Sequence, residues 1–416
     1  MLERADKNRI ENWLKGIDQF QTGEGDGTTR ILFTEPELKA RTYVKQQMAA
    51  LGLEVTEDAI GNIFGTLKGS DPSLAPVWTG SHIDTVSNAG MFDGMSGIVC
   101  GMEALHLIKN SSMEHKRDIS VIVYTSEEPE RFGLSCLGSR AMAGALSLED
   151  TKILYDKEGI SLYQLLKDLG YDENRYHEIQ KQTGDVFASV ELHIEQNSIL
   201  EKAGVPIGIV CGICAPTNFS VKITGVQSHA GGTSMDDRRD AFMAAAELAL
   251  RLEDITKKST SEYITGTVGK VNVFPNAINV ISGDTEISID IRSIDMKAKD
   301  VAVESLKYEA ERIEEERKVE INMKMENHDL PLRCDETIME IEKESCKKLG
   351  IPYRTMISGP YHDSLFVGRF APAAMIFVPS KNGISHSKEE WTDYSDLAIG
   401  ADVLTETLYT LANQAG

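Results

Sequence analysis

The chain is short of positive charge, of cysteine and of long apolar runs, and each shortage removes a class of function. Lysine and arginine number 43 against 65 aspartates and glutamates, a formal charge of −22 at pH 7. Such a field repels nucleic acid and anionic membrane surfaces, so no nucleic acid and no membrane is expected as a partner. No uninterrupted apolar stretch approaches the roughly 20 residues of a membrane-spanning helix. The opening MLERADKNRIENWLKGIDQF lacks the apolar centre of a secretory leader and reads as an amphipathic helix, so a cytoplasmic protein is expected. Six cysteines scattered through 416 residues fit reduced thiols in that compartment. Cys211 and Cys214 form a C-x-x-C inside the apolar run IGIVCGICAP, with no second such pair, and are expected to be buried and inert.

What is present points to two domains, because 416 residues exceed one ordinary core. EPELKARTYVKQQMAALG reads as a helix stopped at Gly52, and APVWTG, DISVIVYT and DVFASVELHI read as buried strands. GIVCGMEALHLIK is a helix between the first two of these strands. That alternation predicts an α/β layer with a mostly parallel sheet. From 214 to 328 the texture changes. NFSVKITG, the helix RRDAFMAAAELALRLEDI, the strands ITGTVGKVNVF and INVISGDTEISIDIRS, the helix VAVESLKYEAERIEEER and the strand VEINMKME follow in a β-α-β-β-α-β order. This is the order of a ferredoxin-like α+β module. The α/β texture then returns with ETIMEIEKESCKKLG, AAMIFVP and a last helix, DLAIGADVLTETLYTLANQ. The expectation is an outer domain of residues 1–213 and 329–416, with 214–328 inserted into it.

The chemistry gathers where the outer strands end. VWTGSHIDTV ends in His82 and Asp84, two apart and so on one face of an extended strand. Asp93 follows in the glycine-punctuated NAGMFDGMSG. VIVYTSEE delivers Glu127 and Glu128 to a strand end, whereas the glutamates at 314–316 and 389–390 read as solvated patches. In SVELHIEQN, Val190, Leu192 and Ile194 alternate with Glu191, His193 and Glu195, which puts His193 on the polar face. IFVPSKNGISH runs from a strand into a loop carrying His386. Open α/β sheets bind ligands at the carboxyl ends of their strands, and imidazole and carboxylate donors suit zinc or manganese, with nickel or cobalt also compatible. His82, Asp93, Glu128, His193 and His386 exceed the three protein ligands of one catalytic zinc. They suit two divalent metal ions about 3.5–4 Å apart that share a carboxylate. Asp93, on its flexible turn, is the expected bridge. Asp84 is expected to accept the free ring N–H of His82, and Glu127 to act as general base. Pro129 holds Glu128 away from the helical region.

GSHIDTVSNAGMFDGMSG, SEEPERFGLSCLGSRAMAG, ELHIEQ, GVQSHAGGT and GISHSKEEW together resemble the peptidase M20-type amidohydrolases. The branch is that of N-carbamoyl-L-amino-acid hydrolase, allantoate amidohydrolase and ureidoglycolate amidohydrolase, and the likeness runs over nearly the whole chain. It implies a di-metal catalytic domain, with His82, Asp93 and His193 on one ion, Asp93, Glu128 and His386 on the other, and Glu127 as the base. It also implies that the inserted module is a lid and dimerisation domain of a homodimer, whose His229 reaches the partner's active site and stabilises an oxyanion. Gln196, Asn279, Arg292 and His362 are implied substrate contacts, Arg292 as a bidentate clamp for a carboxylate. A structural ion pair is the other reading of Arg292. Three departures bear on the pocket: Pro129 and Asn197 where many relatives have glycine, and SGPYHDSLF where many show Gly-Ala-Gly-His-Asp. The implied reaction is hydrolysis of a ureido C–N bond in a small carboxylate-bearing substrate. An aminoacylase or dipeptidase on the same centre, or a non-catalytic ligand-binding protein on the same scaffold, are the alternatives.

Overall fold

The computed structural model of the chain describes residues 2–23, 25–111 and 113–414. They form two compact units, one of Met1–Cys211, Cys334–Ser358 and His362–Gly416, the other of Gly212–Arg333 and Gly359–Tyr361. The second unit thus reaches beyond the expected 214–328, taking 212–213 and 329–333 as well, and it adds the short segment 359–361. In chain order the strands begin with β1 (Glu54–Glu57), β2 (Ile63–Leu67), β3 (Val77–Ser81), β4 (Ile119–Val123), β5 (Ala188–Ile194) and β6 (Ile207–Ile213). Then come β7 (Ala215–Thr224), β8 (Ser228–His229), β9 (Ile264–Phe274), β10 (Val280–Ile281), β11 (Asp284–Ser293), β12 (Glu320–His328) and β13 (Leu332–Arg333). The chain finishes its strands with β14 (Tyr353–Ser358) and β15 (Ala373–Val378).

In the first unit β4, β3, β5 and β15 lie side by side and parallel. β2 and β1 continue the sheet antiparallel beyond β4, and β6 runs antiparallel to β15 with β14 beside it. Every residue of β3, β4, β5 and β15 is buried. A parallel sheet is covered on both faces, which is why β15 reads as an unbroken apolar run, AAMIFV. The helices Met95–Asn110 and Tyr394–Asn413 pack on the sheet and on each other. Gly97 makes the close approach possible, since a Cβ there would stand 2.5 Å from the Leu192 carbonyl oxygen. Parallel strands end at one edge, so the segments after Ser81, Val123, Ile194 and Val378 all emerge together. These segments, with His193 at the end of β5, carry the polar residues singled out above.

The second unit is an antiparallel four-stranded sheet in the order β12-β7-β11-β9. One face is covered by the helices Ala241–Lys258 and Met296–Arg317. β7 and β11 alternate buried and less buried residues, and Phe219, Val221, Ile287 and Ile289 meet Leu248 and Leu306 in the core. INVISGDTEISIDIRS is not one strand. It breaks at Ser282–Gly283, and β10 leaves the sheet to pair with β8 in a separate ribbon. Ser282 stabilises the break, its Oγ donating to the carbonyl oxygens of Asp284 and Phe274 at 3.0 and 3.3 Å. The two-residue β13 pairs with Gly212–Ile213.

At the root of this unit Lys299 is buried, without a salt bridge among the described residues. Its ammonium donates to the carbonyl oxygens of Ala215 at 3.2 Å, Pro216 at 3.5 Å and Asp329. Ala215 and Pro216 open β7, and Asp329 follows β12, so one ammonium binds both the incoming and outgoing chain. Burial pulls its pKa down to about 8, against the upward pull of Asp329 and Asp300.

The helix Glu336–Leu349 carries an exception to its own pattern. Ile338, Met339, Ser345 and Cys346 face inward, and so does Glu342. Both Glu342 carboxyl oxygens lack a hydrogen-bond partner among the described residues, and burial raises the carboxyl well above the ordinary glutamate value. A glutamate with a raised folded-state pKa favours the fold fully below its unfolded-state pKa and loses that advantage as pH rises toward its folded value. Glu342→Met is therefore expected to unfold at higher temperature than the parent at pH 8. The gap should narrow as the pH falls from 8 toward 5, and thermal melts across that range would show it. A gap independent of pH would refute the buried neutral carboxyl.

Candidate metal centre

At the carboxyl edge of the parallel strands the Asp93 carboxylate stands between two sets of donors. Its Oδ1 lies 3.2 Å from His193 Nε2 and 3.6 Å from His82 Nε2, and its Oδ2 lies 3.2 Å from His386 Nε2. His386 Nε2 is also 3.2 Å from Glu128 Oε1. The donor atoms of His82, Asp93 and His193 lie within 4.8 Å of one another, and so do those of Asp93, Glu128 and His386. Glu127 Oε2 is 3.9 Å from His82 Nε2, at the rim of the first set. All five ligand-type residues and Glu127 therefore come together: His82 just past β3, Glu127 and Glu128 past β4, His193 at the end of β5, His386 beyond β15, and Asp93 on the turn before the Met95–Asn110 helix.

The supports differ in part from expectation. Asp84 does not take the His82 ring N–H on its carboxylate. His82 Nδ1 is 3.0 Å from the Asp84 main-chain oxygen and 3.6 Å from its Oδ1. The carboxylate accepts the backbone N–H groups of Glu127 at 3.3 Å and Glu128 at 3.0 Å. Those amides follow a left-handed Ser126 (φ 56°) past the end of β4; satisfying them fixes the glutamate pair. Glu390, expected in solvent, is buried while Glu389 is exposed. Glu390 Oε1 accepts the backbone N–H groups of Phe92 and Asp93 at 2.9 and 3.0 Å. Its Oε2 accepts Ser385 Oγ at 2.7 Å, and Ser385 also donates to Asp93 Oδ2 at 2.8 Å. The adjacent-glutamate pattern hid this role; the signal was its place four residues after His386. The residues placed on the polar face of β5 are likewise buried. Glu191 accepts from Ser81 Oγ at 2.9 Å and Ser364 Oγ at 2.7 Å, and Glu195 accepts the N–H groups of Ile199 and Leu200.

Backbone strain concentrates here. Ser126, Gln196 and His386 all hold positive φ, at 56°, 55° and 53°, each costing about 1–3 kcal/mol that the surrounding packing must offset. Gly94 (φ 72°) could not carry a side chain, since a Cβ would stand 2.5 Å from the His82 ring.

Burial would push the Asp93 carboxyl up, but hydrogen bonds from His193, His386 and His82 hold it well below the usual range. Those to Asp93 and Glu128 lift the His386 imidazole to about 11. Burial would lower His82, yet Asp84 and Asp93 carry it well above an ordinary histidine. Burial, then the neighbouring Glu128 charge, raises Glu127 strongly. Burial, then Asp93, brings Glu390 to about 7. Carboxylates so crowded need positive charge among them. Protonated imidazoles can supply it, and so can divalent cations with the imidazoles neutral; a donor set of imidazole nitrogens and carboxylate oxygens fits the latter.

Around the cluster, Gln196 Nε2 donates to Asp93 Oδ2 at 2.7 Å, and its Oε1 is buried with no hydrogen-bond partner among the described residues. His362 is buried, with Nε2 2.9 Å from Ser358 Oγ and its ring edge-on to His193 at 4.6 Å between centroids. Next to it Asp363, which sequence reading passed over inside YHDSLF, is a buried acid that accepts from Ser139 Oγ and is pushed by burial, then by Glu191, to about 8. The remaining sequence-assigned residues belong to the second unit. His229 and Asn279 are exposed on and beside the ribbon, where Ala230 N–H donates to the Asn279 carbonyl oxygen at 2.9 Å. Arg292 is forked onto Asp290, two residues earlier on the same face of β11, with Nε and Nη2 each 3.0 Å from a carboxylate oxygen.

Residues 78–410 match the model of peptidase family M20/M25/M40, and the chain belongs to that family. It is 39% identical over 414 residues to a ureidoglycolate hydrolase of Arabidopsis thaliana, covering 98% of this chain and 87% of that protein. It is 38% identical to an N-carbamoyl-L-amino acid amidohydrolase of Geobacillus stearothermophilus, covering 96% and 98% of the two chains. A crystal structure of AtUAH in complex with (S)-hydroxyglycine superposes with a TM-score of 0.88 at 38% identity, covering 99% of this chain and 98% of that one. The protein is accordingly an amidohydrolase of the ureidoglycolate, allantoate and N-carbamoyl-amino-acid branch. Its α/β fold, with a mixed, centrally parallel sheet and a separate antiparallel four-stranded sheet, is that of the family.

Glu390→Leu tests the support. It removes the carboxylate that receives three donors, so the N–H groups of Phe92 and Asp93 and the Ser385 hydroxyl each lose that acceptor. Zinc or manganese affinity, measured by titration calorimetry, is expected to fall about 10–100-fold with the fold intact. Unchanged affinity would show that Glu390 does not hold Asp93.

Proposed function

We propose that the protein hydrolyses a ureido C–N bond in a small carboxylate-bearing substrate such as ureidoglycolate, allantoate or an N-carbamoyl-L-amino acid, releasing ammonia and CO2. The observation that carries this reading is the Asp93 carboxylate facing one donor set with each oxygen, with Glu127 at the rim. His82, Asp93 and His193 would hold one divalent ion, and Asp93, Glu128 and His386 the other. Zinc and manganese suit these donors, and nickel or cobalt also fit them. Such ions, when bound, polarise a carbonyl and make water more acidic.

The chain's own groups do the rest. Glu127 takes a proton from the attacking water and delivers it to the nitrogen that leaves, as a general base turned acid. Asp84 keeps Glu127 in place by holding its backbone N–H. Gln196 Oε1, with no hydrogen-bond partner among the described residues, is an acceptor for a substrate N–H. It favours a ureido group, which carries N–H donors on both sides of its carbonyl, over an ordinary acyl amide, which carries them on one. To the second unit we assign a lid and dimerisation role in a homodimer, with His229 stabilising the oxyanion in the partner's site. Asn279 and Arg292 would bind the substrate carboxylate, Arg292 turning one edge of its guanidinium from Asp290. His362 would line the pocket.

The test is ammonia release by manganese- or zinc-loaded protein from ureidoglycolate, allantoate, several N-carbamoyl-L-amino acids and, followed by amine release, an N-acetyl amino acid. Turnover of one ureido compound, lost on chelation and lowered about 10²–10⁴-fold in Glu127→Gln, is expected. Silence on every ureido compound with turnover of the acetyl amide would replace this reading with an aminoacylase, and silence throughout would leave a binding protein.

A further inference from the structure

Arg30, in TTRILFTEPE, is fully buried and meets no carboxylate among the described residues. Arginine is rarely buried in this way without an ionic partner, so what its guanidinium does instead is informative. Nε donates to the Ile83 carbonyl oxygen at 2.6 Å. Nη1 donates to the carbonyl oxygens of Ile17 and Phe20 at 3.1 and 2.9 Å, at the C-terminal end of the Lys7–Asp18 helix. Nη2 contacts Met95 Sδ. Ile83 lies between His82 and Asp84, and Met95 directly follows Gly94, two residues after Asp93. One rigid fork therefore grips both ends of the loop 83–95, anchored on a helix end whose partial negative charge suits a cation. The backbone around Arg30 supports the same loop: Arg30 N–H donates to Thr85 Oγ1 at 2.8 Å, Thr85 N–H to the Arg30 carbonyl oxygen at 3.0 Å, and Thr28 bridges Ala89.

We infer that Arg30 is a positioning residue for the metal centre, setting the distance between His82 and Asp93 by clamping the loop that joins them. Fixing the Ile83 carbonyl fixes the peptide planes on either side of it. Those planes aim the His82 ring, and the Asp84 carboxylate that holds the amides of Glu127 and Glu128. Fixing Met95 fixes the start of the helix against which the Asp93 turn closes. Lysine could keep the charge but not the reach, because a single ammonium cannot span Ile83 and Met95. The inference rests on reading His82 and Asp93 as ligands of one metal ion.

The experiment compares zinc and manganese binding by titration calorimetry in wild type, Arg30→Lys, Arg30→Met and Met95→Leu, with circular dichroism and thermal melts for the fold. Arg30→Lys and Arg30→Met are each expected to bind about 10–100-fold more weakly while keeping their helix content. Met95→Leu conserves apolar volume and removes one contact, and should cost about threefold. In the Arg30→Lys/Met95→Leu double variant the losses should not add, because both act through one clamp; independent destabilisation would add. Folded Arg30 variants binding within twofold of wild type would overturn the role of Arg30 and leave the metal centre standing. A wild type that binds neither metal would overturn the centre and, with it, this inference. If the Arg30 variants do not fold, Met95→Leu decides, with a loss of about threefold supporting the clamp and unchanged affinity refuting it.

Discussion

One carboxylate, that of Asp93, is asked to serve two neighbourhoods at once. Oδ1 faces His82 and His193, while Oδ2 faces His386. A carboxylate in that position has little freedom: a rotation that favours one side withdraws the other. Much of the surrounding structure can be understood as removing that freedom. Glu390 takes the Asp93 backbone N–H, Gln196 and Ser385 donate to Oδ2, and Gly94 lets the turn pass close under the His82 ring. The parallel sheet contributes the geometry. Strands that run the same way must finish at the same edge, so residues far apart in the chain arrive together without any of them having to reach.

This arrangement collects negative charge where water is scarce, and the fold carries the cost openly. Buried carboxyls at Glu127, Glu128, Glu390 and Asp363 are all raised from their ordinary values, with burial the first cause in each. Positive φ at Ser126, Gln196 and His386 adds backbone strain at three of the strand ends. Departures from local preference of this sort, gathered at one edge and absent from the apolar strands behind it, mark where structure has been spent on function.

The parts of this that the sequence announces are those with a period or a repeated context. Continuous β-branched runs identify the central strands, the β-α-β-β-α-β order identifies the second unit, and ligand-type residues just past the strands identify the centre. The order of the sheet, with β15 brought between β5 and β6, has no local signature. Nor do supports that depend on the backbone. The His82 ring turns to a main-chain oxygen of Asp84, and the Asp84 carboxylate turns to main-chain amides, because the loop between strands bends in ways that side-chain identity does not record. Glu390 and Arg30 were hidden for a related reason. Charged residues are usually solvated, and only the three-dimensional packing shows that these two are enclosed and occupied with backbone groups. The break at Ser282–Gly283 escaped because both halves of the segment favour strand.

The Lys299 ammonium has a consequence for the ancestry of the chain. By binding Ala215 and Pro216 on one side and Asp329 on the other, it brings the two ends of the second unit within a single side chain's reach. A module whose ends meet can be acquired, lost or exchanged by recombination within a host domain, since the host's own chain need bridge only a short gap. Lys299 belongs to the module and, among the described residues, bonds main-chain oxygens, so it asks for no particular side chains at the junction. The second unit closes its own ends with its own lysine.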